Sequence, residues 1–129
     1  SSEGTARYAA RIVSQSRHEG RMDHGYGRFG NTGLTTSRLG FGTYRVDTRE
    51  PEHREALTKA LKEGVNLIDT STNYMDGDSE RLVGSVLHEL IQSREVARDE
   101  MIVVTKIGKG KLITHRTNET VRQLKKKND

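Results

Sequence analysis

Between residues 39 and 105 the chain alternates short apolar runs with amphipathic stretches of helical period, and this alternation limits its fold more than any other feature. Leu39 to Val46 reads as a first strand punctuated by Gly40 and Gly42. Pro51 suits the first turn of a helix, Ala56, Leu57, Ala60 and Leu61 form one apolar stripe, and Gly64 stops it. Val65 to Asp69 is a second strand. Asp78 or Ser79 is placed to cap the next helix, and Glu80 in its first turn suits the dipole. That helix has the cleanest stripe in the chain: Leu82, Val83, Val86, Leu87, Leu90 and Ile91. Met101 to Thr105 is a third strand, apolar without alternation, as expected for a strand covered on both faces. Strands joined through helices run parallel with right-handed crossovers. The pattern alone leaves both a closed barrel and an open sheet possible.

The flanks differ in character. Gly30-Asn31-Thr32-Gly33, set between Phe29 and Leu34, is turn chemistry and predicts a short hairpin. Residues 1–25 are polar and read as an extension or irregular leader. Apolar residues are 31% of the chain, and the large ones concentrate in 39–46, 65–69 and 101–105, so the middle is the expected folded part. From Lys109 onward, seven Lys or Arg face only Glu119 and Asp129, a balance of +5 against +4 for the whole chain. Residues 1–108 therefore sum to −1. Periodicity fades in this tail, where only 120–127 suggests a short basic helix. The expected division is a polar leader at 1–25, an α/β part at 26–108 and a basic tail at 109–129.

Several function classes are disfavoured. Without cysteine there is no disulfide framework and no thiolate metal site. No apolar run approaches the roughly 20 residues of a membrane span, and the N-terminus lacks a secretory apolar region, so a cytoplasmic protein is expected. Asn118-Glu119-Thr120 matches a glycosylation sequon that carries little weight without secretion. His18, His24, His53, His88 and His115 lack metal-ligand spacing, so no metal is expected. Gly25-x-Gly27, Gly40-x-Gly42 and Gly108-x-Gly110 lack the third glycine of the dinucleotide fingerprint. Lys125, Lys126, Lys127 and Arg122 could contact phosphates, but a solvated terminal charge run is the better account, and nucleic acid is not the expected partner.

The polar residues at the strand ends point to chemistry. In parallel α/β folds the active site lies beyond the C-terminal ends of the strands. Asp69 ends the second strand, Tyr74 lies in the loop after it, and Lys106 follows the third strand. Gly42 and Thr43 lie near the end of the first. An ammonium beside a phenol lowers the phenol's pKa, and an aspartate paired with the lysine fixes its position. The phenol can then act as general acid toward a carbonyl oxygen as hydride reaches the carbon. Taken singly, each residue has a plain alternative: Asp69 a loop hydrogen-bonder, Tyr74 a packing residue, Lys106 a solvated charge.

At these residues a family resemblance appears. Gly33 to Thr43 (GLTTSRLGFGT) resembles the hairpin and first strand of aldo-keto reductases, and Ala60 to Tyr74 (ALKEGVNLIDTSTNY) resembles their first helix end, second strand and tyrosine loop. Ser79 to Gly84 (SERLVG) is similar to the start of their second helix, and Val103-Val104-Thr105-Lys106 to their third strand and catalytic lysine. The resemblance implies a parallel α/β fold, the (β/α)8 TIM barrel, of which this chain would cover an N-terminal hairpin and the first three strands. Such a barrel typically needs about 250 residues, so the chain reads as incomplete. Residues 109–129 show no family motif.

By the same resemblance Asp69, Tyr74 and Lys106 are catalytic, and Gly42, Thr43, Tyr44 and Asp69 lie against the nicotinamide side of NADPH. The family's fourth catalytic residue, a histidine after a fourth strand, has no counterpart here. The implied function of the complete protein is NADPH-dependent reduction of aldehydes or ketones to alcohols. Alternatives are a non-enzymatic NADPH-sensing subunit of the channel-partner type, or an inactive fragment. The 129-residue chain alone is expected to be inactive. Its substrate and its state of association, oligomers included, are not legible in these residues.

Overall fold

The computed structural model of the chain describes residues 1–15 and 25–107. The basic tail and its helix, His18, His24, His115, the sequon and Gly108-x-Gly110 lie outside the described residues.

Two small sheets form. Strands β1 (Tyr26–Arg28) and β2 (Thr35–Ser37) pair antiparallel, Tyr26 opposite Ser37. Their turn runs through Gly30 (φ 55°) and Gly33 (φ 77°), both in the left-handed region that favours glycine. This is the hairpin expected from the Gly-Asn-Thr-Gly run. Strands β3 (Gly40–Gly42), β4 (Leu67–Asp69) and β5 (Ile102–Val104) pair parallel in that order. Their register sets Gly42 opposite Asp69 and Asp69 opposite Val104, so three strands finish at one rim.

The strands are shorter than the apolar runs suggested, for reasons visible in the hydrogen bonds. After Gly42, the Val46 amide turns back to the Thr43 carbonyl at 3.1 Å. Before β4, the Val65 amide closes the preceding helix on the Ala60 carbonyl at 2.9 Å. Val103 and Val104 are half-buried, not covered on both faces. Among the described residues β5 is the outer strand of its sheet.

Helix α2 (Pro51–Glu63) joins β3 to β4, and α3 (Asp78–Gln92) joins β4 to β5. Pro51 opens α2, where its missing N–H costs nothing, and Gly64 ends it at φ 126°. Leu57 and Leu61 are buried while Ala56 is exposed. The α3 stripe is buried from Leu82 to Leu90, with Ile91 half-buried at its edge. Together with Ile68 and Met101 these side chains make the core.

The segment read as an irregular leader begins with a 14-residue helix, α1 (Ser2–Gln15). Its buried Tyr8 and Ile12 stand four apart, one helical turn, which the overall polarity of the segment obscured. Fully buried Tyr8 donates to the Leu61 carbonyl at 2.6 Å, and Tyr26 donates to Gly64 at 2.7 Å. Burial pushes the phenol of Tyr26 up to about 12, with nearby Arg11 opposing. Helix α1 thus seals the N-terminal end of the sheet, opposite the rim.

Candidate functional site

At the rim the strand register does most of the positioning. Thr43 is fully buried, and both its amide and its hydroxyl donate to the Asp69 carbonyl at 3.0 Å. This locks the first strand end to the second. The Thr70 amide donates to the Val104 carbonyl at 2.8 Å, locking the second to the third. Lys106 is then fixed by its own carbonyl, which accepts from the Thr72 amide at 3.1 Å and the Ser71 hydroxyl at 3.1 Å. Thr105 donates to Glu80 at 2.6 Å.

The result brings the three candidate catalytic side chains together. Lys106 Nζ donates to Asp69 Oδ1 at 2.5 Å and lies 5.3 Å from the centre of the Tyr74 ring. The Asp69 hydrogen bond and charge hold the Lys106 ammonium above the ordinary lysine value, against a partial desolvation. Both members of the pair are nearly half exposed, 48% for Asp69 and 46% for Lys106. Tyr44 stands edge-to-face on Tyr74, 5.2 Å between centres at 88°. An Asp–Lys ion pair beside a half-buried phenol is equipped to deliver a proton to an oxygen anion forming at this rim.

Tyr74 opens a short turn, Tyr74–Gly77, whose Met75 (φ 48°) and Asp76 (φ 55°) both sit in the left-handed region. Two adjacent non-glycine residues there are strained, and such strain concentrates where a side chain must be held for function.

The start of α3 departs from the expected capping. Gly77 occupies the N-cap with φ 89° and no side-chain bond. Asp78 instead accepts from the Thr48 amide at 2.7 Å and the Thr48 hydroxyl at 2.9 Å, which draws its carboxyl below the usual carboxylate range. Ser79, fully buried, shares its hydroxyl between the Thr43 and Val46 carbonyls at 2.8 and 2.6 Å. Both residues clamp the loop after β3, the loop that carries Tyr44. Their places in the sequence match a helix start, and nothing local to them signals the distant partners.

Of the residues expected at the nicotinamide end, Gly42 and Tyr44 face open space at the rim. A side chain added at Gly42 would meet nothing within 4 Å, so that space is open, and Tyr44 is 66% exposed. Thr43 is fully buried with its hydroxyl on the Asp69 carbonyl, so it offers no free group to a ligand. Beside the trio lies an open depression of about 710 Å³, bordered by Tyr44, Tyr74 and three arginines. Asp69 and Lys106 do not line it. Among the described residues no group of His, Asp and Glu is gathered to hold a metal.

Comparison with known proteins agrees with this geometry. The model of the Aldo/keto reductase family matches residues 38–128, so the chain belongs to that family. The match extends through residues 109–128, which had shown no family motif: their low apolar periodicity hid it. The chain is 34% identical over 87 residues to the aldo-keto reductase YhdN of Bacillus subtilis, covering 63% of this chain and 25% of the relative. It is 33% identical over 87 residues to an NADH-specific methylglyoxal reductase of Escherichia coli, covering 61% and 25%. Among solved structures, a thermostable aldo-keto reductase, Tm1743, in complex with the inhibitor epalrestat, aligns with TM-score 0.54 and 29% identity, over 64% of this chain and 30% of that one. The chain spans about a quarter of the length of the curated relatives it matches.

Proposed function

We propose that the protein containing this chain is a nicotinamide-dependent reductase of aldehydes or ketones, and that Tyr74 is its proton donor. The observation that supports this reading most is the single hydrogen-bonded group formed by Asp69 and Lys106 beside the Tyr74 ring. NADPH is the cofactor proposed, and when bound it supplies the hydride. Gly42 leaves room for the nicotinamide, Tyr44 offers its ring as a wall, and Asp69 faces the adjoining ribose. The substrate carbonyl oxygen sits against the Tyr74 hydroxyl. As negative charge grows on that oxygen the hydroxyl gives up its proton, and the Lys106 ammonium stabilises the phenolate left behind. Asp69 holds the ammonium in place and in its charged form.

Residues 26–108 are proposed as part of the opening of a (β/α)8 barrel, and the protein is proposed to lie in the cytoplasm. No helix among the described residues is long and apolar enough to cross a membrane. The 129-residue stretch on its own leaves β3 and β5 each without an outer neighbour among the described residues, and edges of that kind invite association. We expect it to show no steady turnover.

The test is Tyr74→Phe in the intact protein, assayed with a panel of aldehydes and NADPH or NADH. General acid catalysis contributes about 10²- to 10⁴-fold, so kcat should fall by at least about a hundredfold while dinucleotide binding, read by fluorescence, holds. Turnover unchanged in the variant would remove Tyr74 from the role. No oxidation of either dinucleotide by the parent would favour the non-enzymatic reading.

A further inference from the structure

Of the three arginines around the depression beside Tyr74, two are already answered by carboxylates. Arg49 donates to Asp47 at 2.8 Å, and Arg81 lies 3.4 Å from Asp78. Arg45 forms no ion pair among the described residues. Its guanidinium lies 6.0 Å from the centre of the Tyr44 ring, and that ring abuts Tyr74. The order along the rim is therefore cation, aromatic wall, proton donor. A guanidinium left open at such a place presents a planar fork of donors suited to a carboxylate or phosphate.

The loop bearing Arg45 is held at both ends. Thr43 is locked to Asp69, Ser79 takes the Thr43 and Val46 carbonyls, and Asp78 takes Thr48. Loop ordering is therefore largely complete before a ligand arrives, which favours binding. One charge opposes: Asp76, also on the depression, has no ion pair among the described residues. It is exposed, so water screens much of its field.

We infer that Arg45 receives an anionic group of the molecule whose carbonyl meets Tyr74, so that the substrate class is carbonyl compounds carrying a carboxylate or phosphate about one aromatic ring's span from the carbonyl. Tyr44 supplies the surface for the planar or apolar middle. The carbonyl in this statement rests on the function proposed above; the anion at Arg45 does not.

The experiment compares 4-carboxybenzaldehyde with its methyl ester as substrates of the intact protein, in the parent, Arg45→Gln and Asp76→Asn. Benzoate and benzamide are titrated as non-reacting probes, followed by the amide NMR signals of Tyr44 and Arg45. A charge-assisted hydrogen bond at an exposed site is worth about tenfold in affinity. The acid should therefore exceed the ester in kcat/KM by about tenfold, and Arg45→Gln should erase that ratio. Asp76→Asn should raise it, and benzoate should move the two amides where benzamide does not. An unchanged ratio in Arg45→Gln overturns the inference. A rise in the dinucleotide KM with the ratio intact overturns it too, assigning the anion to the cofactor. Selective benzoate binding without any turnover would uphold the anion site while removing the reductase reading, and turnover without selectivity for benzoate or the acid would do the reverse.

Discussion

At the N-terminal ends of the strands, Asn66 and Glu100 are almost fully buried and every polar atom has work. Asn66 accepts from the Ser37 amide at 2.8 Å and donates to Thr35 and Glu100 carbonyls at 3.0 and 3.3 Å. Glu100 takes two bonds from Arg11, at 2.8 and 2.9 Å, and one from the Ala97 amide at 3.0 Å. At the C-terminal ends Asp69 and Lys106 pair in the open, and the turn after Tyr74 holds strained backbone. The same three strands therefore end in a satisfied floor and an unfinished rim. A buried network is costly to disturb, whereas an exposed pair contributes little to stability and is free to serve a ligand. Substitutions in the floor should lower stability, and those at the rim should alter chemistry first.

The largest expected effect is in the floor. Glu100→Ala removes a buried carboxylate together with its charge-assisted hydrogen bonds from Arg11 and the Ala97 amide, which costs about 3 kcal/mol. Urea unfolding measures it, and a loss below about 1 kcal/mol would show that the floor is no stronger than the rim. The pH dependence has a definite sign. Burial pushes the Glu100 carboxyl up, but the Arg11 bonds, the Ala97 amide and Arg7 together hold it below its ordinary value. A lowered folded pKa stabilises above the unfolded value of 4.5 and is lost as pH falls through the folded value. Parent stability should drop in that acidic range, and Glu100→Ala should flatten the drop. Lys106→Met, by contrast, should leave the unfolding midpoint where it is and abolish turnover.

Ser79→Ala tests how the rim loop after β3 is held. It leaves the Thr43 and Val46 carbonyls without their shared donor inside the fold, which costs about 2 kcal/mol. Because that donor holds the loop of Tyr44 and Arg45, KM should rise more than kcat falls. A kcat loss equal to that of Tyr74→Phe would place Ser79 among the reacting groups, against the geometry.

How much of this was legible in the sequence follows the range of the interactions. The α3 stripe and the Gly-Asn-Thr-Gly hairpin depend on neighbours within a few residues, and both appear as expected. Asp69, Tyr74 and Lys106 could be placed together because parallel strand ends converge, and the structure brings them together. The role of Asp78 and Ser79 was hidden, since Thr48 and Val46 lie some thirty residues away. Helix α1 was hidden too: only Tyr8, Ala9 and Ile12 bury apolar surface there, and Glu100 gives no local sign that it binds Arg11.

Met75→Gly probes whether the rim's strain is functional. Relief of a left-handed non-glycine residue is worth about 1 kcal/mol, reduced by the freedom that glycine returns to the unfolded chain. Stability should rise slightly, while turnover falls because Tyr74 loses its fixed neighbour. A gain in both would show that the strain does nothing for the site.

The smallest effect expected is at Thr70, a buried residue of the rim. Thr70 follows Asp69 directly and is 2% exposed, yet its hydroxyl has no hydrogen-bond partner among the described residues. Its amide is satisfied by Val104, so only the side-chain oxygen is at issue. A buried hydroxyl without a partner has lost water and gained nothing, and a methyl group of the same shape escapes that cost. Thr70→Val should therefore raise stability by about 0.5 kcal/mol, a size seen when an unpaired group is replaced, with turnover intact. A loss of more than about 1 kcal/mol would mean that the hydroxyl is bonded in the intact protein. Unchanged stability with impaired dinucleotide binding would place the oxygen on the ligand, and Thr70 would then belong to the binding site despite its burial.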